Sequence, residues 1–188
     1  MDSPGESFTG RVLQQRQGNP RAASTRLALL NVARLAGQRK HDLRKGRQPA
    51  YIDPDRKELN RVLLAPAPPS EMWAICESRR SLRETSRAMK RNAAVAAGGI
   101  ITFGSEAAAL FSNLTPQQQD AAFIDLADSI AERLNTTLHG LIVHNDESTI
   151  HAHYQLAAYD RDGIPLSRST APRVMSSLQD LTAEVMAR

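Results

Sequence analysis

The chain has 188 residues, 41% of them hydrophobic, which is enough for one domain with a sizeable core. Its apolar runs are far shorter than the roughly 18 residues that a membrane span needs, and its first twenty residues carry no secretory signal. Its single cysteine, Cys76, excludes an internal disulfide and fits a reducing cytoplasm. Residues 1–100 carry 19 basic and 9 acidic side chains, whereas residues 101–188 carry 5 and 11. So uneven a distribution indicates either a polyanionic partner such as nucleic acid or a solvated basic surface with no partner.

The N-terminal third predicts an arm followed by a strand. Residues 1–24 are rich in Gly, Ser, Gln, Pro and Arg, which favours a flexible basic and polar arm and leaves residues 25–188 for one domain. Residues 27–32 predict the first strand. A dense basic cluster fills residues 33–47, residues 48–56 predict a loop, and the short apolar run 59–64 ends at closely spaced prolines.

A second basic feature follows. Residues 71–92 predict a helix on which Arg79, Arg83 and Arg87 recur every four residues and share a face. A DNA-binding stripe and a solvated helix face fit this pattern equally well. Residues 100–103 then predict a strand.

The C-terminal half predicts two helices around a hairpin. Thr115, Pro116 and Gln118 form a strong helix start, and Phe123 to Leu134 carry an apolar stripe. Residues 138–159 predict a strand hairpin, residues 160–163 a turn, and residues 170–187 a last helix. The order of elements predicts an α+β fold with a largely antiparallel sheet.

Residues 144–153, within this hairpin, contain three of the five histidines. Because side chains alternate along a strand, His151 and His153 point to the same side, and a hairpin brings His144 beside them. Three neutral imidazole nitrogens suit a divalent metal with open coordination positions. The alternative is a set of ordinary surface histidines. Asp146, in the turn, is expected to cap it or to pair with a basic residue.

The string His144-x-Asp146-Glu147-x-Thr149-x-His151-x-His153 closely resembles the metal motif of plasmid mobilisation and recombination (Mob/Pre, MobV-type) relaxases. These belong to the nucleases named for a His-hydrophobic-His (HUH) pair. Residues 40–44 resemble that family's His-Asn-x-Arg motif, and residues 52–60 resemble the segment after it. The resemblance covers about residues 27–185. It implies a central antiparallel sheet of about five strands with helices packed on one face.

The activity implied is that of a DNA relaxase in plasmid mobilisation and conjugation. Such an enzyme cuts one strand at an origin of transfer, stays joined to the 5′ phosphate and later rejoins the strand. The resemblance implies single-stranded or hairpin DNA as the partner and Mn²⁺ or Mg²⁺ as the metal. It also implies a protein of the bacterial cytoplasm that is encoded on a mobile genetic element. A homodimer is a further expectation, and no membrane segment is expected.

The resemblance also implies a role for each matching residue. His144, His151 and His153 match the metal ligands, and Glu147 either touches the metal or orients a histidine. His41 matches the histidine that attacks phosphorus in some members, and Tyr51 competes for this role because other members use tyrosine. Arg44 matches an arginine that binds a phosphate of the DNA backbone. Arg56 and Asn60 match positions that bind DNA or order the loop.

Two departures from the family pattern stand inside the motifs. Asp42 replaces an asparagine and puts a carboxylate beside His41, where it could orient that residue or repel phosphate. Ile150 replaces a proline before the histidine pair. A catalytically weak or inactive DNA-binding relative is therefore the alternative function. A metallohydrolase of small molecules is a third, against which the basic half argues.

Overall fold

A five-stranded antiparallel sheet forms the centre of the molecule. The computed structural model describes residues 18–84, 87–168 and 171–188. The strands are β1 (Ala23–Asn31), β2 (Arg61–Leu64), β3 (Ala94–Phe103), β4 (Leu138–His144) and β5 (His151–Ala157). Their order in the sheet is β1-β3-β5-β4-β2, and every pair is antiparallel. The predicted α+β architecture is confirmed. Most of the predicted arm, namely residues 1–17, lies outside the described residues.

Five α-helices accompany the sheet. They are α1 (Val32–Asp42), α2 (Pro69–Arg80), α3 (Ser105–Ser112), α4 (Pro116–Arg133) and α5 (Pro172–Met186), and Pro54–Leu59 and Leu166–Arg168 form short 3-10 helices. In the described part of the chain no helix combines the length and apolarity that crossing a membrane requires.

The two faces of the sheet are covered unequally. On one face Ala152, Tyr154 and Leu156 of β5 join a large apolar core with α3, α4 and α5. On the other, α1 and α2 pack through a smaller cluster that includes Leu35 and Met72. Helices thus lie on both faces, whereas the resemblance implied one. The second layer is incomplete, and open sheet surface remains beside α1.

Local signals explain several boundaries. The Asn31 side chain accepts the backbone N–H of Arg34 at 3.0 Å, which ends β1 and starts α1. The predicted helix start at Thr115 is confirmed, because Thr115 and Gln118 form a reciprocal capping box. The first strand begins at Ala23, four residues before the predicted position, because its whole length pairs with β3.

The predicted helix over residues 71–92 is wrong in its second half, because α2 ends at Arg80. A helix is held mainly by burying an apolar face. Beyond Arg80 the next large apolar side chain is Leu82, which is 66% exposed. Arg79, Arg83 and Arg87 therefore do not form a stripe on one helix.

Candidate metal centre

The β4–β5 hairpin gathers the three predicted ligand histidines. His144 pairs directly with His151, and His153 follows two residues along the same face. Their ring centroids lie 5.2 Å (His144–His151), 5.0 Å (His144–His153) and 5.2 Å (His151–His153) apart. The predicted hairpin is confirmed, and ligation by these three side chains remains a prediction.

Each of the three imidazoles is held through one nitrogen. His144 Nε2 lies 3.2 Å from the Asp42 carbonyl oxygen, and His151 Nδ1 lies 2.9 Å from the Thr149 carbonyl oxygen. His153 Nδ1 lies 3.1 Å from the Asp42 carboxylate. We assign the ring proton of His144 and His151 to these nitrogens, because each faces a carbonyl oxygen that can only accept. The other nitrogen of these two rings then carries a free lone pair. His153 Nδ1 also lies 2.8 Å from the Gln38 side-chain nitrogen, so the carboxylate and the amide share this ring nitrogen.

The free nitrogen of His144 is the clearest sign that the cluster fits a metal ion. His144 is fully buried, and its Nδ1 has no hydrogen-bond partner among the described residues. A buried polar atom without a partner is uncommon because its desolvation is uncompensated. A cation bound at Nδ1 would supply the partner.

Glu147 lies among these nitrogens. Its Oε1 is 3.9 Å from His144 Nδ1, 3.8 Å from His151 Nε2 and 4.0 Å from His41 Nε2. Ligands about 2.0–2.2 Å from one ion lie roughly 3–4 Å from each other. Within the described residues two overlapping sets have donors close enough to hold a metal, namely His41–His144–His153 and His144–Glu147–His151. The three histidines predicted as ligands are divided between these two sets. The residues present fit a divalent ion.

His41, at the end of α1, joins the same cluster. Its ring centroid lies 5.7 Å from that of His144 and 5.5 Å from that of His153. Burial lowers the pKa of His41, and the nearby charges of Arg44 and His153 lower it further. A neutral imidazole here suits both a nucleophile and a ligand.

The contacts of Arg44 differ from the predicted contact with a phosphate. Its side chain is buried, with Nε 2.8 Å from Asp146 Oδ2, Nη2 2.6 Å from Asp146 Oδ1 and Nη2 2.8 Å from Glu147 Oε1. Its Nη1 faces the carbonyl and ring of His41. The guanidinium predicted to grip a phosphate is thus used inside the protein, where it fixes Glu147 and His41. The predicted pairing of Asp146 with a basic residue is confirmed.

The loop after α1 supports the hairpin turn. Asn60 donates to Asp146 Oδ2 at 2.6 Å and accepts the backbone N–H of Asn145 at 2.7 Å, so it orders the turn. Arg56 lies 3.4 Å from the Glu147 carbonyl. Tyr51 is 62% exposed, and the bond from the Asp53 N–H to the Asp146 carbonyl places its loop beside the turn.

The arginines predicted to contact DNA from residue 79 onward lie elsewhere. Arg79 donates to Thr136 Oγ1 at 2.9 Å and to the Tyr159 carbonyl at 2.6 Å. Tyr159 is six residues beyond His153, or about 20 Å along an extended strand. Arg79 is therefore occupied at the far end of the sheet from the histidines. Arg83 and Arg87 are exposed, and their contact with DNA remains a prediction.

Sequence reasoning missed two supporting residues. The Asp42 carboxylate, expected beside the nucleophile, instead faces His153 Nδ1, and Gln38 donates to it at 2.7 Å. A carboxylate on the remote nitrogen orients a metal-binding imidazole and raises its basicity. The i, i+4 spacing of Gln38 and Asp42 was the available signal, but it requires the helix α1, which the basic cluster did not predict.

Acid should destabilise the metal-free protein through His144. Burial, then the charges of His153 and Arg44, lowers the pKa of His144 to about 3 from 6.5. As the pH falls, the unfolded chain therefore protonates this histidine before the folded protein does. The stability that comes from keeping His144 neutral is complete above pH 6.5 and is lost as the pH falls toward 3. Urea unfolding in EDTA should show a steeper decline in wild type than in His144→Gln. Parallel profiles would contradict this assignment.

The antiparallel sheet and the histidine cluster on its central hairpin define an α+β protein with a candidate metal centre. A family model of plasmid recombination enzymes, Mob_Pre, matches residues 22–186. The chain therefore belongs to the plasmid recombination enzyme family. No curated protein sequence matches it.

Solved structures give the fold independently. The chain is similar to the Mn-bound MobM relaxase domain (MOBV; Mob_Pre) in complex with oriT DNA of plasmid pMV158, with a TM-score of 0.72 at 21% identity over 88% of this chain and 85% of that one. The same domain bound to 26-nucleotide oriT DNA gives a TM-score of 0.64 at 19% identity over 88% and 86%. At these identities the likeness shows a relaxase-domain fold.

Proposed function

We propose that this protein is a metal-dependent DNA relaxase that nicks and rejoins one strand at an origin of transfer during plasmid mobilisation. The observation that carries the proposal is the buried, unpartnered Nδ1 of His144 beside the free nitrogen of His151 and the ring of His153. Family membership and the DNA-bound, Mn-bound relatives support it. The proposal places the protein in the bacterial cytoplasm with single-stranded or hairpin DNA as its partner.

Three histidines would hold the ion: His144, His151 and His153, with Glu147 next to it. Mg²⁺ prefers oxygen ligands in an octahedron, so three imidazoles argue against Mg²⁺. Mn²⁺ is the proposed ion because the similar solved domains are Mn-bound. The bound ion would supply a Lewis acid that offsets negative charge on the oxygens of the scissile phosphate. Asp42 orients His153, and Arg44 holds Glu147 in place.

His41 is the proposed nucleophile. A lone pair of its neutral imidazole forms a P–N bond as the bond from phosphorus to the 3′ oxygen breaks. The 3′ oxygen leaves as a hydroxyl, and the N–H of the phosphorylated imidazolium gives up the proton that balances this step. The 5′ phosphate stays on the protein, and the reverse reaction rejoins the strand. Tyr51 is the alternative nucleophile, on an exposed loop tied to the hairpin turn.

The nucleophile can be identified from the covalent adduct. A single-stranded oligonucleotide from the DNA upstream of the gene, labelled at its 3′ end, is incubated with the protein and Mn²⁺. We expect the label to become attached to wild type and Tyr51→Phe but not to His41→Ala. The bond should hydrolyse in mild acid, as a phosphoramidate does. An acid-stable adduct that Tyr51→Phe abolishes would assign the role to Tyr51.

A catalytically weak or inactive DNA-binding relative is the second candidate. The burial of Arg44 favours this candidate, because its guanidinium is not available to bind a phosphate next to His41. The same experiment separates the two functions. Binding of the oligonucleotide without Mn²⁺-dependent cleavage would support the binding module, and cleavage would support the enzyme.

A further inference from the structure

An apolar groove lies between α3 and the C-terminal end of α5, on the sheet face opposite α1. It has a volume of about 860 Å³, which is within the range of about 300–1,000 Å³ of cavities that accept a ligand. Leu110 and Phe111 of α3, Leu114 after this helix and Met186 of α5 line it. The histidines of the candidate metal centre do not line it, so the groove is a separate feature of the molecule.

Helix α3 presents more apolar surface than the fold covers. Residues 107–111 are three alanines, a leucine and a phenylalanine, and five consecutive residues go round the whole helix. Of the eight residues of α3, all of which the structure describes, Phe111 is the one that is buried. Leu110 is 71% exposed and Leu114 is 37% exposed. Because a helix that is apolar on all sides is normally buried, this surface has the character of a contact site.

Residues 19–22 fasten the chain to the start of α3, at the edge of the groove. The Pro20 carbonyl accepts two backbone N–H groups in the first turn of α3, at 2.9 Å and 3.0 Å. A Cβ on Gly104 would lie 2.3 Å from the Asn19 carbonyl oxygen, so this close approach requires a glycine. Asn19 itself lines the groove. The chain that precedes Gly18 therefore begins beside the apolar surface of α3.

The segment before this attachment carries a few large apolar side chains in a polar sequence. Residues 1–17 lie outside the described residues, and apart from the first methionine their large apolar side chains are Phe8, Val12 and Leu13. The family model begins at residue 22, so this segment is not part of the family pattern. An extended chain spans about 3.3–3.6 Å per residue, which lets Leu13 reach about 17 Å from Gly18 and Phe8 about 34 Å. Both are therefore within reach of the groove.

We propose that residues 8–13 of the same chain dock in this groove, with Phe8, Val12 and Leu13 covering the exposed surface of Leu110. A segment joined by a short linker has an effective concentration of the order of mM at the groove, so it is favoured over a free partner of the same chemistry. The polar composition of the arm gives it no core of its own. Docking joins its apolar side chains to the core of the domain, independently of any DNA cleavage.

Trypsin cleavage after Arg11 and Arg16 of the full-length protein, followed by mass spectrometry, measures the docking. A docked segment is cleaved only in those molecules in which it is released, so the initial rate reports the released fraction. If about nine-tenths of the molecules are docked, Leu110→Ser should raise this rate about tenfold. Leu82→Ser is the matched control, because Leu82 is 66% exposed and follows α2 on the other sheet face. It should leave the rate unchanged.

Substitutions in the segment test whether it is the occupant. Phe8→Ser combined with Leu13→Ser should raise the rate of trypsin cleavage as much as Leu110→Ser does. Adding Leu110→Ser to that pair should give no further increase, because all three changes remove the same contact. Equal rates in the wild type and in these variants would overturn the proposal. Protection that weakens on dilution, or that survives Phe8→Ser with Leu13→Ser but not Leu110→Ser, would assign the groove to a second copy of the chain and overturn the proposed occupant.

Discussion

Replacing His144 by alanine should abolish Mn²⁺ binding and, with it, DNA cleavage. His144 contributes the buried Nδ1 that has no partner in the described protein, and it lies directly opposite His151. Losing a residue that only orients a ligand typically lowers metal affinity about 10- to 100-fold, so losing the ligand itself should exceed about 100-fold. Calorimetric titration with Mn²⁺ measures the binding, and cleavage of the upstream oligonucleotide measures the activity.

His139→Ala is the matched control for His144→Ala. His139 lies on the same strand, but its Nε2 bonds to Thr137 Oγ1 at 2.6 Å, away from the cluster. We expect its Mn²⁺ isotherm and its cleavage to match wild type. Circular dichroism establishes that both variants are folded, and His151→Ala repeats the test at a less enclosed site. Mn²⁺ binding that survives in folded His144→Ala and His151→Ala would refute the proposed centre.

The hairpin was predictable because its signals are local. Strand alternation places His151 and His153 on one side, and a turn rich in polar residues returns the chain so that His144 faces them. Capping chemistry similarly located the start of α4 at Thr115. These features depend on neighbours within a few residues, which is the range over which sequence patterns are informative.

The support of the hairpin was not predictable because it comes from about a hundred residues away. Arg44 looks like a free cation in a basic cluster, and only the folded chain brings Asp146 and Glu147 to it. Likewise, Asp42 faces His153 rather than His41 because α1 packs on β1 and β3 and ends beside the hairpin histidines. Charge patterns do not distinguish a guanidinium that binds DNA from one that is neutralised by a distant carboxylate.

Arg79 shows the same limit in a different setting. Its four-residue spacing from Arg83 indicated a helix face, but α2 ends at Arg80 and the Arg79 side chain reaches Thr136 and Tyr159. Like charges four residues apart destabilise a helix by about 0.2–0.5 kcal/mol for each pair, so this periodicity does not hold a helix by itself. The helix stops where its buried apolar face ends, since the next large apolar side chain, Leu82, is exposed.

Arg44→Ala should cause the largest loss of stability of any single change near the site. The Arg44 and Asp146 side chains are 3% and 0% exposed, and removing one partner leaves a charge buried without its counter-ion. Such a loss typically costs about 3–5 kcal/mol. Urea unfolding should show this decrease for Arg44→Ala and a smaller one for Arg44→Lys, which keeps the charge but not the two-pronged contact.

The exposed pair Arg161–Glu132 provides the control for that measurement. Its side chains are 43% and 67% exposed, so Arg161→Ala should lower the stability far less than Arg44→Ala does. A double variant, Arg44→Met with Asp146→Leu, should recover part of the stability, because the fully buried Asp146 carboxylate is no longer left without its counter-ion, although Glu147 still loses Arg44. It should still fail to cleave DNA, since Glu147 and His41 lose the guanidinium that holds them. If Arg44→Ala cost as little as Arg161→Ala, the buried pair would not hold the turn, and Arg44 would again be available to bind phosphate.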